Sequence, residues 1–231
     1  MNWPTPQDYN EAVQNPNVNF RDPELRAARA SLTPSGLPLP ITGNFASVYR
    51  MSIGARPLAV RCFFREFADM QARYAAISRH LQAARPGYTT GFSYLNDGIA
   101  IRGKPFPVLK MDWVEGVLLD DYVRKHLADR KALANLAEGW MRMAATLRAH
   151  GVAHGDLQHG NVLVRNGALC LVDYDGMFVP ALAGKSSCEL GHPNYQHPAR
   201  DAALFGAHMD NFSHWLMYLS LAAVAEDPDL W

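Results

Sequence analysis

The sequence predicts an α+β chain of two lobes, a small mainly β lobe followed by a mainly α lobe. Three observations predict it. FASVYRM and LAVRCFF alternate like paired strands early in the chain; Leu133, Leu136, Trp140, Met143 and Leu147 mark one stripe of a long helix further on; and Asn166-Gly167 stands between two apolar runs as a hairpin turn. With 231 residues, 48% of them hydrophobic, the chain can bury the core of one large domain.

Lys plus Arg balance Asp plus Glu at 22 each, so no globally charged surface calls for nucleic acid or an anionic membrane, and neither is expected as a partner. Cys62, Cys170 and Cys188 are an odd, widely spaced set, which predicts free thiols in a reducing, cytoplasmic setting. The opening MNWPTPQDYN has neither the basic start nor the apolar core of a secretory signal. The longest apolar run, Phe212 to Ala225, is broken by Ser213, His214 and Ser220 and falls short of the ~20 residues of a membrane span. It reads as a buried helix.

Residues 1–40, rich in Pro and Asn, read as an N-terminal extension laid over the domain, with one helical candidate at Pro23 to Ala30 after Asp22. FASVYRM, the turn SIGARP and LAVRCFF then form a hairpin. In ADMQARYAAISRHLQAA, Met70, Tyr74, Ile77 and Leu81 recur at helical spacing, and Arg85-Pro86-Gly87 ends the helix. Gly98 to Arg102 and Pro107 to Trp113 are further strands before the polar turn Glu115-Gly116. The long helix of Leu133 to Leu147 has Gly151 placed to end it. The lobes are accordingly drawn at residues 41–114 and 115–231.

The chemistry gathers after that helix. HGDLQHGN, residues 154–161, precedes the strand VLVR, and Asp173-Tyr174-Asp175-Gly176 follows its hairpin partner ALCLV. The outer ends of two short antiparallel strands lie side by side, so Asn161 and Asp173 should converge. An amide oxygen and a carboxylate there suit Mg²⁺, which takes oxygen ligands, keeps waters and shares nucleotide phosphates. Asp156, in the same loop, is placed to orient and deprotonate an attacking hydroxyl.

In order and spacing these blocks resemble the catalytic and metal-binding loops of the protein-kinase superfamily, which read HRDxxxxN or HGDxxxxN, then a hairpin, then DFG. The resemblance covers about residues 41 to 225 and implies a protein-kinase-like fold with ATP and Mg²⁺ between the lobes. It implies Asp156 as base, Asn161 and Asp173 as metal ligands and His154 as loop support, while Asp175, at the DFG glycine position, reads as a solvated turn residue. Gly43 to Tyr49 is similar to the end of the glycine-rich loop, with Gly43 at the phosphates and Val48 over the adenine. Lys110 to Gly116 is similar to the hinge, with Met111 as gatekeeper and Asp112 to Val114 offering backbone groups to the base. GHPNYQHP resembles the GTPxYxxPE element of the peptide platform, and Asp210-Asn211-Phe212-Ser213 the DxWS start of the central helix, features that favour a protein substrate over a small-molecule phosphotransferase.

Four departures bear on activity. Arg61 stands in LAVR where the family has its phosphate-gripping lysine, and no lysine occurs before Lys104. The helix that should carry its glutamate partner has only Asp69 near its start. Gly155 replaces an arginine that reads activation-loop phosphate, and Gln158 replaces the catalytic-loop lysine. The chain also stops soon after the central helix, as either a fragment or a reduced C-terminal lobe would. The pattern resembles bacterial Hanks-type (eukaryotic-like) kinases of an HGDxxxxN subgroup with Arg for the strand lysine. It implies either a Ser/Thr-directed protein kinase or a nucleotide-binding pseudokinase, whose partners would be proteins such as a von Willebrand-type protein and a metal-dependent phosphatase. Cys188, His192 and His197 fit no common zinc spacing, and no metal is expected on them.

Overall fold

A computed structural model describes residues 3–67 and 69–231, which divide into two compact units: Met1–Ala75 with Gly91–Trp113, and Ala76–Thr90 with Val114–Trp231.

Unit 1 is built on a six-stranded antiparallel sheet. β1 (Arg29–Ala30), β3 (Ala46–Ile53), β4 (Arg56–Phe63), β6 (Lys104–Asp112) and β5 (Phe92–Ile101) follow one another across it, and β2 (Pro40–Thr42) also pairs with β3. β3 and β4 form the hairpin read from FASVYRM and LAVRCFF, running from Ala46 opposite Phe63 to Ile53 opposite Arg56. Such a sheet has two faces, and Leu58 to Phe63 are all buried, so both are covered.

One face is covered by the N-terminal segment, which is not extended. Its short helices are α1 (Pro6–Val13), α2 (Pro16–Asn19) and α3 (Pro23–Ala27). Each starts at a proline, whose missing N–H is harmless in a first turn; Thr5 and Asp8 close a capping box on α1, and Asp22 caps α3 by accepting from Leu25 N at 3.0 Å. Helices this short do not persist on propensity alone; packing holds them. Tyr9, Val13, Phe20 and Leu25 join Tyr49, Met51, Val60 and Val108 in one core, and the Tyr9 hydroxyl donates to Phe63 O at 2.7 Å. Lys110 Nζ contacts Asp22 at 2.8 Å and Glu24 at 2.9 Å. Burial alone would raise the Asp22 carboxyl, but the hydrogen bonds from Lys110 and Leu25 prevail and hold it below its ordinary value.

The other face carries Ala59, Arg61 and Phe63, and α4 (Met70–Ala84) meets it through Tyr74. The Tyr74 ring stacks on Tyr94 at 5.4 Å and lies 5.9 Å from both Phe63 and Phe92. All four residues of the predicted stripe, Met70, Tyr74, Ile77 and Leu81, are buried. α4 through Ala75 counts with unit 1 and its remainder with unit 2.

Unit 2 contains the sheet β7 (Val117–Leu118), β8 (Val162–Arg165) and β9 (Ala168–Leu171), and the helices α5 (Leu119–Lys125), α6 (Arg130–Ala149) and α7 (Asn211–Glu226). The stripe Leu133, Leu136, Trp140, Met143 and Leu147 is buried as read. Gly151, at φ +65°, ends α6: its N–H donates to Arg148 O and that of Val152 to Leu147 O, a Schellman arrangement that satisfies the last carbonyls. Trp140 donates its indole N–H to His214 O on α7 at 3.0 Å.

α7 is buried on one side only. Ser213, His214, Met217, Leu221 and Val224 face the core, while Trp215 and Leu219 are 55% and 59% exposed, so the apolar run was misread as wholly buried. An all-round apolar helix needs cover on every side, and α6 supplies it on one. Among the described residues no helix is long and apolar enough to cross a membrane.

Burial lowers the His214 imidazole below its ordinary value of 6.5, against a smaller upward pull from Asp210. A lowered histidine leaves the unfolded chain binding more protons just below that value, so stability falls as pH drops through 6.5 and levels off below the folded value. The urea midpoint is therefore expected to fall more between about pH 7.5 and about pH 5 in the wild type than in His214→Gln. Equal falls would exclude His214 as a source of acid lability.

Candidate active site

The loop from Val152 to Asn161 lies in unit 2 and is held from beneath by one carboxylate. Asp210, 2% exposed at the start of α7, makes no cap to its own helix; it accepts from the backbone N–H of His154 and, at 2.9 Å, from that of Gly155. Two amides in the turn of a buried loop have no strand partner, and Asp210 is what satisfies them. The His154 ring adds a second tie: Nε2 lies 2.9 Å from Val172 O, and Nδ1 accepts from Asp156 N at 3.3 Å, which places the hydrogen on Nε2. His154 thus supports the loop, as the resemblance implies.

Gly155 occupies the position where the loops it resembles carry arginine. Its φ is +84°, and a Cβ there would stand 2.3 Å from Gly176 O. The loop and the Asp173–Gly176 turn touch backbone to backbone at this point, so a side chain is excluded. The same contact draws the turn inward: Asp175 is 7% exposed, not solvated, and its carbonyl accepts from Cys188 Sγ at 3.0 Å.

Asp156 and Asn161 are directly joined. Asn161 Nδ2 donates to Asp156 O at 2.9 Å and to Asp156 Oδ2 at 2.8 Å, which leaves the amide oxygen as the atom Asn161 can offer a cation. Gln158 Nε2 donates to Asp156 Oδ2 at 3.2 Å, a neutral donor where the lysine was expected by resemblance. Asp156 Oδ1 accepts from the backbone N–H of His192 at 2.6 Å.

The hairpin brings Asp173 beside them. Asn166 and Gly167, at φ +51° and +77°, form the tight turn, and Val162 faces Leu171 in register. One step beyond, Val172 N donates to Asn161 O at 3.0 Å, so Asp173 follows directly on the residue bonded to Asn161. Asp173 has φ +66°, a left-handed conformation uncommon outside glycine and a mark of a constrained site. Its neighbour Tyr174 anchors the turn: the buried hydroxyl accepts from Thr90 N and donates to Leu171 O, each at 2.8 Å, and burial pushes the phenol well above its ordinary value. The donors that this backbone pairing sets on adjoining segments, one amide oxygen and one carboxylate, are hard oxygens of the kind that Mg²⁺ takes.

The segment Gly191–Gln196 closes over the loop. Gly191 has φ +75°, and a Cβ on it would stand 2.6 Å from Gly155 O and 2.9 Å from Asp156 Oδ1. Gln196, buried, donates to Gly155 O at 3.2 Å, and Tyr195 OH lies 2.5 Å from His159 Nδ1.

The residues that the resemblance assigns to nucleotide lie mostly in unit 1. Gly43 sits at the β2–β3 turn, its N–H donating to Ala46 O at 3.0 Å. Val48 and Arg61 are direct cross-strand partners and share a sheet face; Arg61 is followed across that face by Leu109 and Tyr94. The Arg61 guanidinium lies 5.8 Å over the Phe63 ring. Met111 is buried on β6, whereas Asp112 is exposed, with its carboxylate 3.1 Å from Arg56 and its N–H on Gly91 O. Any backbone group that Asp112 offers a ligand is therefore its carbonyl. Val114 begins the second stretch of unit 2.

Reading the sequence missed the roles of Asp210, of the Gly191 and His192 backbone, and of Tyr174. Asp210 was read as a helix start, but its partners lie 55 and 56 residues away, and no local pattern announces such a bond.

No family model and no curated protein matches the sequence. Among solved structures the chain is similar to the Cydia pomonella granulovirus kinase PK-1, with a TM-score of 0.60 and 14% identity over 86% of this chain and 69% of that one. At that identity the likeness speaks to architecture, and the chain has the protein-kinase-like α+β fold.

Proposed function

We propose that the chain is an ATP- and Mg²⁺-dependent kinase-like phosphotransferase acting on protein hydroxyls of the Ser/Thr type. The observation that carries this reading is the joined set in unit 2: Asn161 turns its amide nitrogen to Asp156, at 2.8 Å, and its backbone binds the residue before Asp173. Asp156 then orients the acceptor hydroxyl and takes its proton, while the Asn161 amide oxygen and the Asp173 carboxylate hold the cation. When bound, Mg²⁺ neutralises charge on the triphosphate during in-line transfer. The packing of Gly191 and His192 against Asp156 supports a peptide acceptor, since it sets a backbone surface beside the base.

Arg61 and Gln158 support a second reading, a pseudokinase that binds ATP without transferring phosphate. The planar guanidinium is a poor stand-in for a lysine point charge, and Gln158 adds no charge to the loop.

Calorimetric titration of ATP with and without Mg²⁺ tests the site. Mg²⁺ is expected to tighten ATP binding in the wild type, and Asp173→Asn to weaken that Mg²⁺-dependent gain by at least about tenfold. ATP binding indifferent to Mg²⁺ in the wild type would dismiss the first reading, and no ATP binding at all would dismiss both. Binding without transfer to any protein acceptor would select the second.

A further inference from the structure

We propose that His159 and Tyr195 are positioning residues for Asp156, forming the second of two rungs that fix the 191–196 segment against the base, a role that rests on the phosphotransfer reading above. The first rung is the His192 N–H on Asp156 Oδ1 at 2.6 Å, and the second joins the Tyr195 hydroxyl to His159 Nδ1 at 2.5 Å. Both rungs connect the same two stretches of chain. They stand three residues apart on each side, Asp156 to His159 and His192 to Tyr195. Each stretch runs through a tight turn: Tyr195 N donates to His192 O at 3.0 Å, and Asn161 N to Gln158 O at 3.1 Å. A segment held by one hydrogen bond swings about it, whereas one held by two at that spacing keeps its angle.

Packing alone does not call for a hydroxyl at position 195. The Tyr195 ring lies 5.5 Å from the His192 ring and 5.6 Å from that of His159, contacts that a phenylalanine makes equally well. The Tyr195 backbone is fixed independently, since its carbonyl accepts from Ser213 Oγ on α7. What the hydroxyl adds is its bond to His159, which lies in the loop between Asp156 and Asn161. The second rung therefore sets the angle at which His192 N meets the Asp156 carboxylate. Oδ1 takes that donor and Oδ2 takes those of Asn161 and Gln158, so a swing of the segment turns the carboxylate that receives the acceptor's proton. Its loss is felt in the chemical step and not in ATP binding.

Tyr195→Phe in the full chain removes the rung and keeps the ring. With casein as acceptor, kcat is expected to fall about tenfold while KM for ATP stays within about twofold of wild type. Hydrogen exchange at the His192 amide is expected to quicken about tenfold, and that at the Gly155 amide, held by Asp210, to stay unchanged. His159→Leu should reproduce both effects, and the double variant should lose no more than either single one. His159→Asn sets a polar atom in the place of Nδ1, oxygen or nitrogen according to how it flips, and is expected to stay within about threefold of wild-type kcat. Wild-type kcat in Tyr195→Phe, with or without a lowered melting temperature, overturns the proposal while the phosphotransfer reading stands. So does an unchanged His192 exchange rate, or His159→Asn as impaired as His159→Leu. A wild type that transfers phosphate neither to casein nor to itself overturns the reading and the role together.

Discussion

Asp156→Asn is expected to lower transfer of labelled phosphate from ATP by about 10²–10⁴-fold, the range a general base contributes. The geometry adds a second effect. Both carboxylate oxygens accept hydrogen bonds, Oδ1 from His192 N and Oδ2 from Asn161 and Gln158 side chains. An asparagine keeps one acceptor and turns a donor toward other donors, whichever way it flips, which costs about 1–3 kcal/mol for the group left unmet. Melting and ATP titration must therefore accompany the transfer assay. ATP affinity within about threefold of wild type with transfer lost assigns Asp156 to the chemistry. Transfer retained at wild-type rate removes the residue from the mechanism.

Gly155→Ala is expected to be the most damaging addition of one methyl group to the loop. The left-handed backbone costs a non-glycine residue about 1–2 kcal/mol. The added Cβ, 2.3 Å from Gly176 O and 2.8 Å from Gly176 C, meets backbone that cannot rotate away, for about 1–3 kcal/mol more. A fall in melting temperature of about 4–20 °C follows for a chain of this size. Gly36→Ala is the control: its φ is similar, +82°, with nothing within 4 Å of the new Cβ, so it reads the backbone cost alone. Equal melting shifts in the two variants would show that the Gly155–Gly176 contact is not tight. The same contact accounts for a glycine at this position, and it makes Gly155→Arg incompatible with this packing.

Elements with strong local signals were legible without the structure. The stripe of α6, the Asn166-Gly167 turn and the HGDLQHGN loop are each specified by residues within a few positions of one another. Register then follows from the turn, which is why Asn161 and Val172, the residue before Asp173, are joined backbone to backbone. In residues 3–30 only α3 was legible, from Asp22-Pro23, and α1 and α2 were not. Helices of four and eight residues in a Pro- and Asn-rich stretch look like loop, and the docking of Tyr9 and Val13 on a distant sheet face is what holds α1 helical.

By itself the sequence determined which groups are present and which short elements carry them: a carboxylate and an amide five residues apart in one loop, a second carboxylate behind a two-residue turn, and arginine where lysine was expected. Those follow from spacing, which acts over a few residues. Tertiary structure alone decided that Asp210 satisfies the loop amides from 55 residues away, that Gly191 and His192 lie on Asp156, that Asp175 is buried, and that Arg73 occupies a core position. The reason is physical: buried amides, carboxylates and guanidinium groups are satisfied by whatever the chain brings within hydrogen-bond reach, and that is set by the packing of whole elements, not by neighbours in sequence.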